Sequence, residues 1–168
     1  MQWHLGNPTR NQYKNKFDGL FHSLPKSSEV LLSIGEIDCR LNSGIIKLKD
    51  KFPEKNTTHL ISSTIENYLN YINKINSSCE HKIIIQGIPC PNINTKNIPK
   101  EKIIELVSLI SKFNAVLKEK STEIGFGFLD VYKLTNRGDG ISNKSWHIDE
   151  YHLSPEGMNE AWCIHFVN

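Results

Sequence analysis

The sequence predicts an α/β protein built on a parallel β-sheet that helices cover on both faces. Three short apolar segments are typical of buried parallel strands, namely VLLSIG at residues 30–35, HKIIIQGIP at 81–89 and GFGFLDVY at 125–132. A weaker fourth strand, QWHLG, is predicted at residues 2–6. Longer amphipathic segments separate these strands, and such alternation produces right-handed crossovers between parallel strands. A chain of 168 residues has the length of one domain, residues 1–168.

Four segments are predicted as helices. Residues 57–75 and 99–121 place apolar side chains along one face at helical spacing, and residues 11–24 form a shorter helix of the same kind. A last helix is predicted to begin after Ser154, because serine is a common N-cap and Pro155 suits the first helical position. No internal repeat or long linker interrupts this order of elements.

The charge balance and the cysteines exclude several classes of protein. Lys and Arg total 20 against 18 Asp and Glu, a formal net charge of +2, so no strong field of one sign is available to attract nucleic acid. No apolar stretch approaches the roughly 20 residues that cross a bilayer, and the opening residues lack a signal-peptide pattern. The four cysteines have no CxxC spacing, so we expect free thiols in a reducing compartment and no metal site. Because no signal-peptide pattern is visible, we expect a cytoplasmic location, and we expect no cofactor.

Polar residues follow the predicted strands, where open parallel sheets bind their ligands. Glu36, Asp38 and Arg40 come directly after the first apolar segment, and Asp149 precedes His152 by three residues ahead of the last helix. A carboxylate at this spacing holds one imidazole nitrogen and leaves the other free as a base, which is the orienting half of a nucleophile–His–Asp triad. The same spacing also suits a helix-start turn in which the carboxylate only caps backbone amides.

Two of these blocks resemble the SGNH, or GDSL-type, hydrolase family. The family's last block reads Asp-x-x-His, a hydrophobic residue, Ser or Thr, Pro and Gly. The matching residues here are Asp149, His152, Leu153, Ser154, Pro155 and Gly157. Its third block, Gly-x-Asn-Asp after a strand, is matched at the outer positions by Gly35 and Asp38. The resemblance implies a flavodoxin-like, three-layer α/β/α fold and an esterase or acyltransferase, with His152 as base and Asp149 orienting it.

Two departures from the family pattern bear on the site. Ile37 stands where the family has an asparagine that donates to the oxyanion hole, so that donor is absent or another group such as Arg40 supplies it. The family's nucleophile block, Gly-Asp-Ser after its first strand, occurs nowhere in the 168 residues, which implies a sheet without the usual first strand. In that comparison residues 2–6 correspond to the family's second strand, and Gly6 to a backbone donor of the oxyanion hole.

The missing block leaves three explanations open. The chain is truncated at its N-terminus, its start codon was placed too late, or the sheet is rearranged and has no triad. The nucleophile is therefore unknown. Cys39 is one candidate, because it follows Asp38 at the catalytic end of the strand, although a buried free thiol is the simpler interpretation. Ser33 is expected to be buried inside its strand, and Ser154 to serve as a helix cap.

Four further residues have two possible roles each. Glu36 and Arg40 either bind a sugar or an acidic substrate group, or pair with each other as a structural salt bridge. His4 is expected to pack against its neighbours rather than to act in catalysis. Trp146 either stacks on a sugar ring or closes the core.

The leading hypothesis is an SGNH-type esterase or acyltransferase that acts on an ester, often an acetyl group, of a carbohydrate. The alternative is a glycan-binding or scaffolding module that keeps the fold without catalysis. A nucleotide or flavin binder would need a Gly- or Ser/Thr-rich phosphate loop after the first strand, and none is found. The expected partner is a small-molecule or glycan ester, with no nucleic acid and no membrane span, while the oligomeric state stays open.

Overall fold

A computed structural model describes residues 1–167 and contains one parallel sheet of three strands in the order β1-β2-β3. The strands are β1 (Glu29–Leu32), β2 (Lys82–Gln86) and β3 (Gly127–Leu129). Leu32 lies opposite Ile85 in the first pair of strands, and Gln86 lies opposite Leu129 in the second. The predicted parallel sheet is confirmed, and each strand is shorter than the apolar segment that predicted it.

Seven α-helices accompany the sheet within residues 1–167. They are α1 (Gln2–Gly6), α2 (Gln12–Ser23), α3 (Gly44–Lys51), α4 (Thr57–Asn76), α5 (Lys100–Glu123), α6 (Val131–Thr135) and α7 (Pro155–Val167). The four predicted helices are present as α2, α4, α5 and α7, whereas α3 and α6 were not predicted. Ser154 caps α7 as expected, because its Oγ accepts a hydrogen bond from the amide of Gly157 at 3.0 Å. None of these described helices is long and apolar enough to span a membrane.

The helices form two layers, one on each face of the sheet, which gives the expected three-layer α/β/α architecture. Successive side chains of a strand point to opposite faces. On one face Ile83 and Ile85 pack in the main core with residues of α4 and α5, and on the other Ile84 packs with Leu129 and with Ala161 of α7. Burying one such isoleucine stabilises the fold by about 1.5–3 kcal/mol. Burial on both faces explains why β2 is continuously apolar in sequence.

The prediction of a strand at residues 2–6 is wrong, because these residues form α1. The amide of Gln2 donates to Oδ2 of the buried Asp38 at 2.6 Å, which ties the first turn of the helix to the turn after β1. The last residue, Gly6, lies directly against α4, where an added Cβ would stand 2.8 Å from the backbone nitrogen of Tyr68. A short apolar segment suits a helix or a strand equally, and these tertiary contacts select the helix.

Candidate active site

The carboxyl ends of β1 and β2 open onto a cleft of about 340 Å³, called the central cleft below. Three segments supply most of its lining: the turn after β1, the end of β2 with the residues that follow, and the loop ahead of α7. Side chains or backbone from each segment meet there, including Ser33, Gly35, Glu36, Gln86 and His152. The cleft therefore lies where strand ends of a parallel sheet are expected to bind a ligand.

The loop at residues 147–153 is closed by its own backbone. His147 and Leu153 pair in an antiparallel bridge at its base, and the amide of Ile148 donates to the carbonyl of His152 at 3.1 Å. The Oγ of Ser142 shares a hydrogen bond of 3.0 Å with Nδ1 of His147, whose pKa is lowered by burial. These contacts hold the base of the loop, called the histidine loop below, and support the residues at its tip.

Asp149 and His152 form a hydrogen-bonded pair at the tip of the histidine loop. Oδ2 of Asp149 lies 2.7 Å from Nδ1 of His152, and Oδ1 accepts the amides of Tyr151 and His152, both at 2.7 Å. These hydrogen bonds, chiefly that of the imidazole, lower the pKa of Asp149 to about 2, so the carboxylate is charged at neutral pH. Asp149 thus orients the imidazole and caps the turn at once. Nε2 of His152 has no hydrogen-bond partner within residues 1–167 and is free to accept a proton.

The proline-bearing loop after β2 holds the histidine loop from outside. The amide of Asn92 donates to the carbonyl of Glu150 at 3.1 Å, and its Nδ2 donates to the carbonyl of Asp149 at 2.9 Å. Pro89 and Pro91 restrict the backbone that leads into this contact. The loop that follows β2 therefore holds the backbone carbonyls of Asp149 and Glu150 in place.

The turn after β1 begins at a glycine that its surroundings require. Gly35 has a φ of +131°, and an added Cβ would stand 2.7 Å from Nε2 of Gln2. The chain then forms a 3₁₀ helix, Glu36–Cys39. Arg40 closes the turn, because its Nη2 donates to Oε2 of Glu36 at 2.7 Å and its Nε donates to Oε1. The two residues are thus paired, with the Glu36 carboxylate at the wall of the central cleft.

Arg40 also joins the two sequence blocks. Its guanidinium carbon lies 4.0 Å from the centre of the Tyr151 ring, within the histidine loop. Hydrogen bonding to Glu36 raises the pKa of Arg40, so the stacked group stays charged. The two loops meet at the edge of the sheet as their positions after parallel strands predict.

Two predicted site residues lie beside a different cavity. Asp38 is 2% exposed and, with Gly6, lines a cavity of about 530 Å³ between α1, α3 and α4. Burial raises the pKa of Asp38. Met1 lines both this cavity and the central cleft, which makes them neighbours. The predicted site residues therefore lie in two places. Gly35, Glu36 and His152 line the central cleft, whereas Gly6 and Asp38 line the neighbouring cavity.

The candidate nucleophiles differ in their access to the cleft. Cys39 is 2% exposed, and burial raises the pKa of its thiol, so it is a protonated core residue. The expectation that Ser33 is buried is wrong, because β1 ends at Leu32 and Ser33 is exposed at the wall of the central cleft. Ser154 is buried and caps α7.

His4 packs against an aromatic ring, and Trp146 makes close backbone contacts with the start of α7. His4 stacks on Tyr13 with ring centroids 4.5 Å apart. The carbonyl of Trp146 accepts the amide of Ser154 at 2.8 Å, and an added Cβ on Gly157 would stand 2.6 Å from the same oxygen. The glycine of the last block is therefore required by the close approach of the backbone at Trp146.

Three residues at or beside the cleft were not predicted from the sequence: Gln86, Asn92 and Tyr151. Gln86 is a polar residue at the end of an otherwise apolar strand, and that interruption of the pattern was the available signal. Nothing in the sequence pairs Tyr151 with Arg40, since they are far apart along the chain. Within residues 1–167 no group of three or more His, Cys, Asp or Glu side chains is arranged to hold a metal ion, and the four cysteines are free.

The fold and the cleft together define a three-layer α/β/α protein with an Asp–His pair at the carboxyl edge of a parallel sheet. The fold is similar to that of phospholipase A1 from Streptomyces albidoflavus NA297, with a TM-score of 0.53 and 13% sequence identity. The similarity covers 91% of this chain and 74% of the phospholipase chain. No protein-family model matches the chain, and no curated protein matches it in sequence.

Proposed function

We propose that this chain is an SGNH-type esterase or acyltransferase domain that acts on an ester of a carbohydrate, in particular an O-acetyl group. The observation that carries the proposal is the 2.7 Å hydrogen bond between Asp149 and Nδ1 of His152, with the opposite imidazole nitrogen unpartnered beside the central cleft. The match of the last block to the SGNH pattern supports the family. The fold similarity to a phospholipase A1 supports ester chemistry.

The chemistry follows from the protonation states of the pair. Nε2 of His152 takes the proton of a serine hydroxyl as its oxygen attacks the ester carbonyl, and the charged Asp149 stabilises the imidazolium that forms. The same Nε2 then returns the proton to the sugar oxygen as the bond between that oxygen and the acyl carbon breaks. In the second half of the reaction, Nε2 takes a proton from a water molecule or a second sugar hydroxyl as its oxygen attacks the acyl group. Nε2 then returns the proton to the serine oxygen as the bond between serine and the acyl carbon breaks. Asp149 stays ionised throughout, since its pKa is about 2.

The nucleophile of this proposal is a serine of a Gly-Asp-Ser block like that of the family, carried by a strand beside β1. Ser33 is the second candidate, because it is exposed in the same cleft as His152. No hydrogen bond joins Ser33 to His152 within the described residues, so the first candidate is preferred.

The test is hydrolysis of p-nitrophenyl acetate and of an acetylated glucoside. The 168-residue chain is expected to be nearly inactive, because an imidazole without a positioned hydroxyl gives only slow turnover. Addition of an upstream strand that ends in Gly-Asp-Ser is expected to create activity that His152→Ala abolishes and that the exposed-site control His22→Ala leaves intact. Activity that survives His152→Ala would refute the proposal. Rapid hydrolysis by the unextended chain that Ser33→Ala or Cys39→Ala abolishes would assign the nucleophile to that residue instead.

A second function, glycan binding without catalysis, is favoured by Ile37. This aliphatic side chain stands at the family's oxyanion-donor position and cannot stabilise a developing negative charge. The retained Asp149–His152 pair argues against it, since a binding module needs no oriented base. Saturable sugar binding by the extended chain without any ester turnover would favour this second function.

A further inference from the structure

The central cleft contains a buried amide that the catalytic pair does not use. Gln86 is the last residue of β2, is 7% exposed, and lines the cleft together with His152. Because residues two apart on a strand share a face, it follows Ile84 on the side of the sheet that α7 covers. Two apolar residues of that side, Leu153 and Met158, also line the cleft. A polar side chain therefore stands on an otherwise apolar face.

The side-chain oxygen of Gln86 is unsatisfied. Its Oε1 is buried without a hydrogen-bond partner within residues 1–167. Buried polar atoms are almost always hydrogen-bonded in folded proteins, because an unpaired one loses its contacts with water and gains nothing. An apolar side chain of similar length would suit Leu153 and Met158 better. The fold by itself gives no reason for an amide at this position.

Asn114 provides a direct contrast in the same region. It is also 7% exposed, but its Nδ2 donates to the carbonyl of Ile88 at 2.8 Å and its Oδ1 accepts the amide of Ile88 at 2.7 Å. Asn114 thus satisfies the backbone just after β2, and its amide has a structural role. Gln86 has the same burial and none of these bonds.

We infer that Gln86 recognises the alcohol portion of the substrate by hydrogen bonding to a hydroxyl group in the central cleft. The identity of that alcohol as a carbohydrate rests on the proposed function. A carboxamide presents an acceptor and a donor side by side, and a sugar hydroxyl can satisfy either. A site built to bond a hydroxyl discriminates against an analogue that lacks it, since the buried amide is then left unpaired. Gln86 is accordingly a specificity-determining residue.

The experiment compares two acetate esters of similar shape on the 168-residue chain and on the chain with a Gly-Asp-Ser strand added. Methyl 6-O-acetylglucopyranoside carries ring hydroxyls, and cyclohexylmethyl acetate has a six-membered ring without them. Binding is followed by ¹⁵N–¹H NMR, with the side-chain amide of Gln86 assigned through bonds. The glycoside is expected to shift the Gln86 amide signals of the unmodified protein, and cyclohexylmethyl acetate is expected to leave them unchanged.

Two variants complete the test. Gln86→Met is expected to weaken glycoside binding about tenfold, to leave binding of cyclohexylmethyl acetate unchanged and to keep or raise the melting temperature. Asn114→Leu, the matched control, is expected to lower the melting temperature because it leaves the Ile88 backbone unpaired. If Gln86→Met fails to fold or is destabilised as strongly as Asn114→Leu, the amide is structural and the inference is wrong.

The remaining outcomes are equally decisive. The inference would be overturned if the glycoside does not bind or if the Gln86 signal does not shift. It would also be overturned if Gln86→Met weakens the binding of both esters equally. Hydrolysis is measured separately, as the ester turnover that His152→Ala removes. Binding that needs Gln86 without any His152-dependent turnover would leave this inference standing and refute the proposed function.

Discussion

The guanidinium of Arg40 lies 4.0 Å from the ring centre of Tyr151, so a residue that follows β1 supports the loop that carries His152. Arg40 is itself held by two hydrogen bonds to Glu36, which lines the central cleft. A planar cation that is fixed on one side by a carboxylate and stacked on the other against a ring is a geometry that arginine adopts and lysine does not. Three residues thus link the turn after β1 to the Asp–His pair.

The first prediction concerns this stack. Arg40→Met keeps the aliphatic length of the side chain and removes the charge, so it should lower the free energy of unfolding by about 1 kcal/mol and reduce kcat in the active, extended chain. Chemical denaturation and ester hydrolysis measure the two effects. Arg137→Met is the matched control, since Arg137 makes a similar two-bond contact with Asp139 on the exposed surface without a ring. Equal behaviour of the two variants would contradict a special role for the stack.

The second prediction concerns Asp149. Asp149→Asn keeps the shape of the side chain but removes the charge that, in the proposed mechanism, stabilises the imidazolium, so turnover in the extended chain should fall by about 10²–10⁴-fold. Steady-state kinetics measures this loss. If substrate binding by NMR is unchanged while turnover falls, the carboxylate acts on the chemical step; an unchanged turnover would contradict the assignment.

The same carboxylate gives a third prediction, on pH. The folded pKa of about 2 lies below the ordinary value of 3.8, so the stabilisation by ionised Asp149 is present above about pH 4 and is lost as the pH falls towards 2. The effect is small, because the side chain is about half exposed and water screens the interaction. Carboxyl NMR titration should find the Asp149 midpoint well below that of an ordinary aspartate, and an ordinary midpoint would disprove it.

Asp38 should behave in the opposite way. Burial raises the pKa of Asp38, so the folded protein holds this proton more tightly than the unfolded chain, and stability falls as the pH rises through the raised pKa. Asp38→Asn keeps an oxygen that accepts the amide of Gln2 and should flatten the pH dependence above about pH 4. Asp38→Ala removes the acceptor and should destabilise at every pH. Denaturation across pH measures both, and a steeper pH profile in Asp38→Asn would contradict this account.

Gly35 is the subject of the last prediction. Gly35→Ala should destabilise the fold in two ways. Alanine is strained at the left-handed φ of +131°, and its Cβ would clash with the Gln2 side chain. Gly138→Ala should destabilise it in the first way only, because its φ is +116° and an added Cβ has no atom within 4 Å. The control should cost about 1–3 kcal/mol for backbone strain, and Gly35→Ala should cost more. Chemical denaturation compares them, and equal losses would mean that the Gln2 side chain moves away without cost.

Features that depend on neighbours along the chain could be predicted from the amino-acid sequence. Buried parallel strands are continuously apolar, and long amphipathic helices repeat apolar residues at helical spacing, so the three strands and the helices α2, α4 and α5 could be predicted. The Asp149–His152 pair also depends on local geometry, because three residues of turn bring the carboxylate to Nδ1 and to the amides that it caps. The cap of α7 at Ser154 has the same local origin.

The environment of each polar group depends on tertiary packing and could not be predicted from the sequence. Residues 2–6 form a helix because Asp38 and α4 contact them, and five residues carry too little pattern to resolve helix from strand. Ser33 is exposed because β1 ends one residue earlier, at Leu32. Burial of Asp38, the stack of Arg40 on Tyr151 and the unpaired amide of Gln86 each depend on side chains distant in sequence. Desolvation and long-range contacts are properties of the packed chain, and no local pattern encodes them.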